Sequence, residues 1–187
     1  DILYTDSVLP SKNSKWKTRE IPKFLQHFSP NDQNRYIKMH PHEFFSGDYD
    51  YSIYIDGKIH LLGDVFPLTN SINKKTGLAL FQHGTRENVY SEAEVLIKLQ
   101  KGNVKKIREQ MERYKNVGFP EDSGLFEMAV IASDLSNSVS EKLLDSWWKE
   151  YIVTESLRDQ ISWPYILWRN NFSKEDIGYC LLYTSDA

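Results

Sequence analysis

The alternation from Tyr49 to Ile55 constrains this chain more than any other feature. Tyr49, Tyr51, Ile53 and Ile55 fall on one side, with Asp50, Ser52 and Tyr54 on the other. A period of two is that of a β-strand with one face packed and the other turned outward. The run stops at Asp56-Gly57. That dipeptide has two readings. Asp-Gly is a favoured two-residue hairpin turn, since both of its positions need positive φ, and an apolar run from Lys58 to Leu62 follows at once. Alternatively, the strand delivers Asp56 to the C-terminal edge of a sheet, where open α/β folds bind their ligands. The two are compatible, because a turn aspartate is also able to bind a metal or face a diphosphate.

Other segments supply further strands and the helices between them. Ile2 to Thr5 (ILYT) reads as a buried strand, followed by the polar loop SVLPSKNSKWKTREIP. Gly77 to Gln82 (GLALFQ) is a strand that runs into His83, Gly84 and Arg86. Gly124 to Ala132 (GLFEMAVIA) is another, and it carries Glu127 inside an apolar run; a buried carboxylate needs a reason. Helical character extends from Asn34 to Pro41, with Arg35 and Lys38 three apart on one face, where they form a solvated basic patch or converge on one anion. Ser91 with Glu94 reads as a capping box for a helix to about Gln100, and a second helix spans about Asn103 to Asn116. Ser138 and Glu141 cap a helix through WWKEYIV, whose Trp147 and Trp148 read as one core ring and one surface ring before they read as a sugar platform. Ser156 and Asp159 form one more capping box, opening SLRDQISWPYILW, which Pro164 is expected to kink. Capping accounts for Asp159, yet a helix start also gathers Arg158, Asp159 and Gln160 where free N–H groups favour anions. Strands alternating with helices indicate an α/β fold.

At 187 residues the chain is sized for one compact domain. A net charge of -3 offers no basic footprint for nucleic acid. No apolar stretch approaches the roughly 20 residues that span a bilayer, and no leader opens the sequence, so the expectation is a soluble, cytoplasmic protein, at most peripheral at a membrane face. The last eight residues, Cys180 to Ala187 (CLLYTSDA), look like the in-frame translation of a sequencing adapter. The native domain is then 1–179, and the one cysteine falls outside it, which removes disulfides and thiol catalysis. No P-loop, G-x-G-x-x-G, G-x-S-x-G or H-E-x-x-H is present. His40 and His42 flank a proline, but two ligands are too few for zinc, which takes three or four from the protein. The chemistry on offer is carboxylate, imidazole, guanidinium and ammonium, an inventory suited to group transfer from a phosphate-activated donor.

The succession ILYTD, NRYIKMHPHEFF, YDYSIYIDGKIHL, LALFQHGTRENVYSEAE, GLFEMAVIA, WWKEY and SLRDQISWPYI resembles a bacterial and plant glycosyltransferase-like domain once catalogued as a domain of unknown function. Its plant members include proteins tied to seed mucilage, and bacterial members sit in polysaccharide gene clusters. The resemblance implies a single Rossmann-like GT-A-type α/β/α sandwich with a mixed central sheet, here lacking its first strand. It also implies transfer of a sugar from a nucleotide-sugar donor to a glycan or other hydroxyl acceptor. On that reading Asp56 occupies the place of the acidic D-x-D motif, although Asp56-Gly57-Lys58 lacks the second carboxylate. Asp56 is then a candidate ligand for manganese or magnesium, or Lys58 neutralises the diphosphate instead. Arg35 and Lys38 match basic positions near the donor nucleotide, His83 and Arg86 face the pyrophosphate or acceptor, and Asp159-Gln160 resembles a pair near the donor sugar. Glu127 and Asp159 are the candidate catalytic carboxylates. Two rivals remain open: an inactive nucleotide- or glycan-binding domain, and a lipid amidase of the ceramidase kind.

Overall fold

The computed structural model describes residues 1–5, 16–45 and 47–180. The expected adapter-derived tail lies outside these residues except for Cys180, as does most of the first polar loop. Contacts divide the chain into two compact units, Asp1–Lys38 and Met39–Ala187.

In the first unit, β1 (Ile2–Thr5) pairs in parallel with β2 (Lys17–Glu20), so a strand lies within what reads from sequence as loop. β1 is half-buried, against the expectation of a buried strand. Helix α1 (Pro30–Met39) follows, and all but its last residue belong to this unit. Ser29 caps it: its hydroxyl oxygen accepts from the Asp32 N–H at 3.2 Å and donates to the Asp32 carboxylate at 2.7 Å.

The second unit is an α/β fold around an open mixed sheet. Strands β3 (Tyr51–Ile55), β4 (Leu78–Gln82), β5 (Phe126–Asp134) and β6 (Gly178–Tyr179) lie in the order β3-β5-β4-β6. β5 runs antiparallel to both neighbours, so β3 and β4 point the same way and their C-terminal ends meet the beginning of β5. β6 pairs in parallel with β4. The partner of β3 is therefore β5, more than 70 residues away, and Lys58 to Leu62 forms no strand. This overturns the hairpin reading of Asp56-Gly57. A turn does form, with the Ile59 N–H donating to the Asp56 carbonyl at 2.9 Å, but it leads into irregular chain.

Helices α3 (Val89–Lys98), α4 (Val104–Asn116), α5 (Ser138–Thr154) and α6 (Trp163–Arg169) share the main core with the sheet. Leu78, Leu80 and Ile131 from the strands meet Ile107, Tyr114, Leu143, Trp147 and Trp163 from the helices. Strand alternation sends Ala79 and Ala132 to the opposite face, where Ile53, Leu68, Ile72 and Phe81 complete a smaller cluster under a 3-10 turn at Phe66–Ser71. Three helices begin at an asparagine. The side chains of Asn88, Asn103 and Asn137 accept from backbone N–H groups in the first turns of α3, α4 and α5. Each such cap contributes about 1 kcal/mol. They replace the capping boxes expected at Ser91 and Ser138, because the asparagine three residues earlier, or one, already occupies the cap. Trp147 is fully buried and Trp148 partly so, as the composition of that helix indicated. No described helix is long and apolar enough to cross a membrane.

Candidate functional site

Three of the sequence-derived candidates arrive at one edge of the sheet because the strands that carry them are registered there. The Asp56 N–H donates to the Ala129 carbonyl at 2.8 Å, which continues the β3–β5 ladder by one residue. On the other side of β5, the His83 N–H donates to the Leu125 carbonyl at 3.0 Å, continuing β4. Glu127 sits between, near the start of β5. Phe126 and Met128 on either side of it are buried in the main core, so alternation turns Glu127 outward.

His83 and Glu127 are in contact, with Nε2 3.3 Å from Oε1. The ring is buried at 7% exposure while the carboxylate is 47% exposed. The tautomer follows from the partners. Nδ1 faces the backbone N–H groups of Thr85 at 3.2 Å and Arg86 at 3.0 Å, both of which only donate. Nδ1 is therefore an acceptor and the ring proton resides on Nε2, the nitrogen that lies 3.3 Å from Glu127. The Arg86 guanidinium also approaches Nε2, at 3.0 Å. Two donors do not share a hydrogen bond, so that contact is packing. Arg86 is held elsewhere, by its Nε donating to the buried carboxylate of Glu92. The sequence marks Glu94, by its spacing from Ser91, and gives no local signal for Glu92. Asn88 sets the start of α3, and that phase turns Glu92 inward, leaving Glu94 exposed.

Asp56 is held by different groups. Its Oδ1 accepts from the Tyr54 hydroxyl at 2.6 Å, and Lys58 Nζ lies 3.7 Å from Oδ2. Tyr54 is a second residue not singled out from sequence; an i, i+2 pair on one strand face is the signal that would have found it. Lys58 is 77% exposed, so its ion pair is weak and its ammonium is available to another anion. One carboxylate already engaged by a hydroxyl and an ammonium is a poor donor set for a divalent ion. The residues around Asp56 do not fit the metal that the D-x-D position implies. A grouping of imidazole and carboxylates does occur elsewhere, at His42, Glu141 and Asp145.

The segment carrying Asp159 and Gln160 is not the helix start expected from sequence. Helix α6 begins four residues after Asp159, at Trp163, and Pro164 sits in its first turn, where a missing N–H costs nothing, so it does not kink the helix. Glu155 and Leu157 both lie in the left-handed region, at φ +50° and +61°. This hook is anchored where the Asn103 N–H donates to the Ser156 carbonyl at 3.0 Å. Only glycine fits beside it: a Cβ on Gly102, itself at φ +81°, would stand 2.7 Å from that carbonyl. As a result Asp159 is buried at 5% exposure, and its carbonyl accepts from the Trp147 indole at 2.9 Å. Gln160 reaches the sheet edge, its Nε2 donating to the Phe126 carbonyl at 2.8 Å, next to Glu127. Arg35 and Lys38 belong to α1 in the first unit; Arg35 is half-buried, and Lys38, at 3% exposure, is not the solvated cation its spacing suggested.

Asp56, His83, Arg86, Glu127 and Gln160 thus occupy one edge, with an exposed carboxylate beside a buried imidazole. No curated protein and no solved structure matches the chain. A family model, the TOD1/MUCI70 glycosyltransferase-like domain, matches residues 11–181. With that span covering most of its length, the chain belongs to the TOD1/MUCI70 glycosyltransferase-like domain family.

Proposed function

We propose that the protein transfers a sugar from a nucleotide-sugar donor to a hydroxyl acceptor at the sheet edge formed by β3, β4 and β5. The observation that carries this reading is the Glu127–His83 pair. An exposed carboxylate with an imidazole nitrogen 3.3 Å away is suited to orient or deprotonate an acceptor hydroxyl. Arg86 and Lys58 supply positive charge for the departing diphosphate, and Asp56 positions Lys58. Gln160 holds the strand beneath Glu127. Asp159 is the second carboxylate candidate, and its burial favours a supporting role over contact with the acceptor. Arg35 and Lys38 are assigned to the donor nucleotide on family grounds. The acceptor is a glycan, by the same reasoning, in surface polysaccharide assembly on the cytoplasmic side. Because Asp56 is already engaged by Tyr54 and Lys58, capture of the leaving group through Lys58 and Arg86 is the form of the mechanism we favour.

The test is release of nucleoside diphosphate from a panel of nucleotide sugars, with and without manganese, by the wild type, Asp56→Ala and Glu127→Gln. Turnover of at least one donor, abolished in Glu127→Gln, is expected. No turnover of any donor, together with nucleotide binding unchanged by Asp56→Ala, overturns it and leaves a binding domain.

A further inference from the structure

Away from the sheet edge, α5 meets the segment His40-Pro41-His42, and the polar groups there are incompletely satisfied. Helix α2 (Pro41–Phe45) carries His42, and Glu141 and Asp145 stand one turn apart on α5. One ring nitrogen of His42 and one oxygen from each carboxylate lie within 4.8 Å of one another, the one such group of three among the described residues. His42 Nε2 is 3.2 Å from Asp145 Oδ1. Donors bound to a tetrahedral ion at about 2.0–2.1 Å are separated by roughly 3.4 Å, so this spacing is close to that of two ligands on one metal. His40 Nε2 lies 3.8 Å from the same oxygen, and its ring is set edge-on to Trp148 with centroids 5.7 Å apart.

A second observation is independent of the clustering. His42 Nδ1 and Asp145 Oδ1 are both buried, and neither has a hydrogen-bond partner. Buried polar atoms are nearly always satisfied, and the Asp145 oxygen is the one of the two that faces the cluster, on a side chain that is 36% exposed. An ion pair between His42 and Asp145 alone gives Glu141 no role. A divalent cation meets the Asp145 oxygen and the His42 Nε2 that faces it at once and draws in Glu141, which is exposed.

We propose that His42, Glu141 and Asp145 bind one divalent transition-metal ion, zinc or manganese, that fastens α2 to α5, with water completing the shell and His40 steadying Asp145. Mixed imidazole and carboxylate ligation favours these ions over calcium and magnesium, which prefer oxygen alone. The site is separate from Asp56, so it stands whether or not the sheet edge transfers sugar.

Its test reads metal, not activity. The protein is stripped with a chelator, dialysed, and titrated with Zn²⁺ or Mn²⁺ by calorimetry, and with Co²⁺ while its visible spectrum is recorded. We expect one ion per chain, a higher melting midpoint on metal addition, and at least about tenfold weaker binding in His42→Ala and Asp145→Asn. Asp145→Asn keeps the side-chain shape, and circular dichroism confirms that each variant folds. The Co²⁺ spectrum is read on wild type alone, so it decides the matter even if both variants unfold: ligand-field bands of a protein-bound ion support the site, and the spectrum of hydrated Co²⁺ excludes it. Failure of Zn²⁺ and Mn²⁺ to bind, or equal affinity in wild type and a folded variant, overturns the proposal.

Discussion

Two arginine–glutamate pairs in this molecule are made of the same residues and end differently. In the helical layer, Arg113 donates to Glu150, the Tyr114 hydroxyl donates to the same carboxylate at 2.8 Å, and Gln110 Nε2 donates to that hydroxyl at 2.8 Å. Tyr165 stacks on Tyr114 with ring centroids 3.9 Å apart. Every charge is answered from within, and the carboxylate is nearly buried. At the sheet edge, Arg86 and Glu92 also answer each other, but the chain of contacts goes on through His83 to Glu127 and stops there, in solvent. A closed network holds helices together; an open one presents a group that has been fixed in place and not used. The contrast separates stability from chemistry more sharply than burial does, since both pairs are partly buried.

The sharpest way to break the comparison is at the open end. Glu127→Gln preserves shape and removes the carboxylate, so transfer should fall about 10²- to 10⁴-fold while the melting midpoint stays put. If both fall together, Glu127 belongs to the fold. The opposite pattern is expected at the closed network. Glu150→Ala leaves the Arg113 charge and the Tyr114 hydroxyl without their acceptor; breaking a buried pair is costly, but Arg113 is 40% exposed and screened, so we expect a loss of about 2 kcal/mol in chemical denaturation. Activity per folded molecule should be unaffected.

The closed network also carries a pH signature. Burial, followed by the negative charge of Glu150, raises the Tyr114 phenol well above 10.0. A raised acid keeps its proton longer in the folded protein than in the unfolded chain. Its contribution is complete below the unfolded value of about 10 and is lost as pH climbs through the folded one. Stability measured from pH 9 upward should fall, and Tyr114→Phe should flatten that fall, in contrast to a variant at the sheet edge. Lys58→Ala should weaken nucleoside diphosphate binding only several-fold, because an exposed ammonium contributes about 1 kcal/mol or less; equilibrium dialysis reads it. Smallest of all, Cys180 should resist alkylation by iodoacetamide at pH 8, since burial raises its thiol to about 11 and little thiolate exists there.

Much of the open site was legible before the fold was known. Asp56, His83 and Glu127 sit at the ends of, or within, the three best-marked strands, and strand ends are where α/β sheets bind ligands. What could not be read was their pairing. Asp56-Gly57 looked like a hairpin because the next run is apolar, whereas β3 instead takes β5 as its partner, and that choice is made by core packing between residues far apart in the chain. Asp159 looked like a helix cap because Ser156 precedes it at the right spacing, whereas two left-handed residues, costly in isolation, are imposed by the contact of Ser156 with the Gly102 turn.

Local rules, then, determined what the sequence alone could determine: the strand periods, the absence of a membrane-length apolar run, and the chemical types available for catalysis. These depend on side-chain spacing over a few residues, which a single sequence displays directly. Tertiary structure alone decided which acid is exposed and which is buried, that Arg86 answers Glu92, and that His42 finds Glu141 and Asp145 about a hundred residues away. Each of those is a contact whose energy depends on distance and desolvation between segments that no local pattern relates.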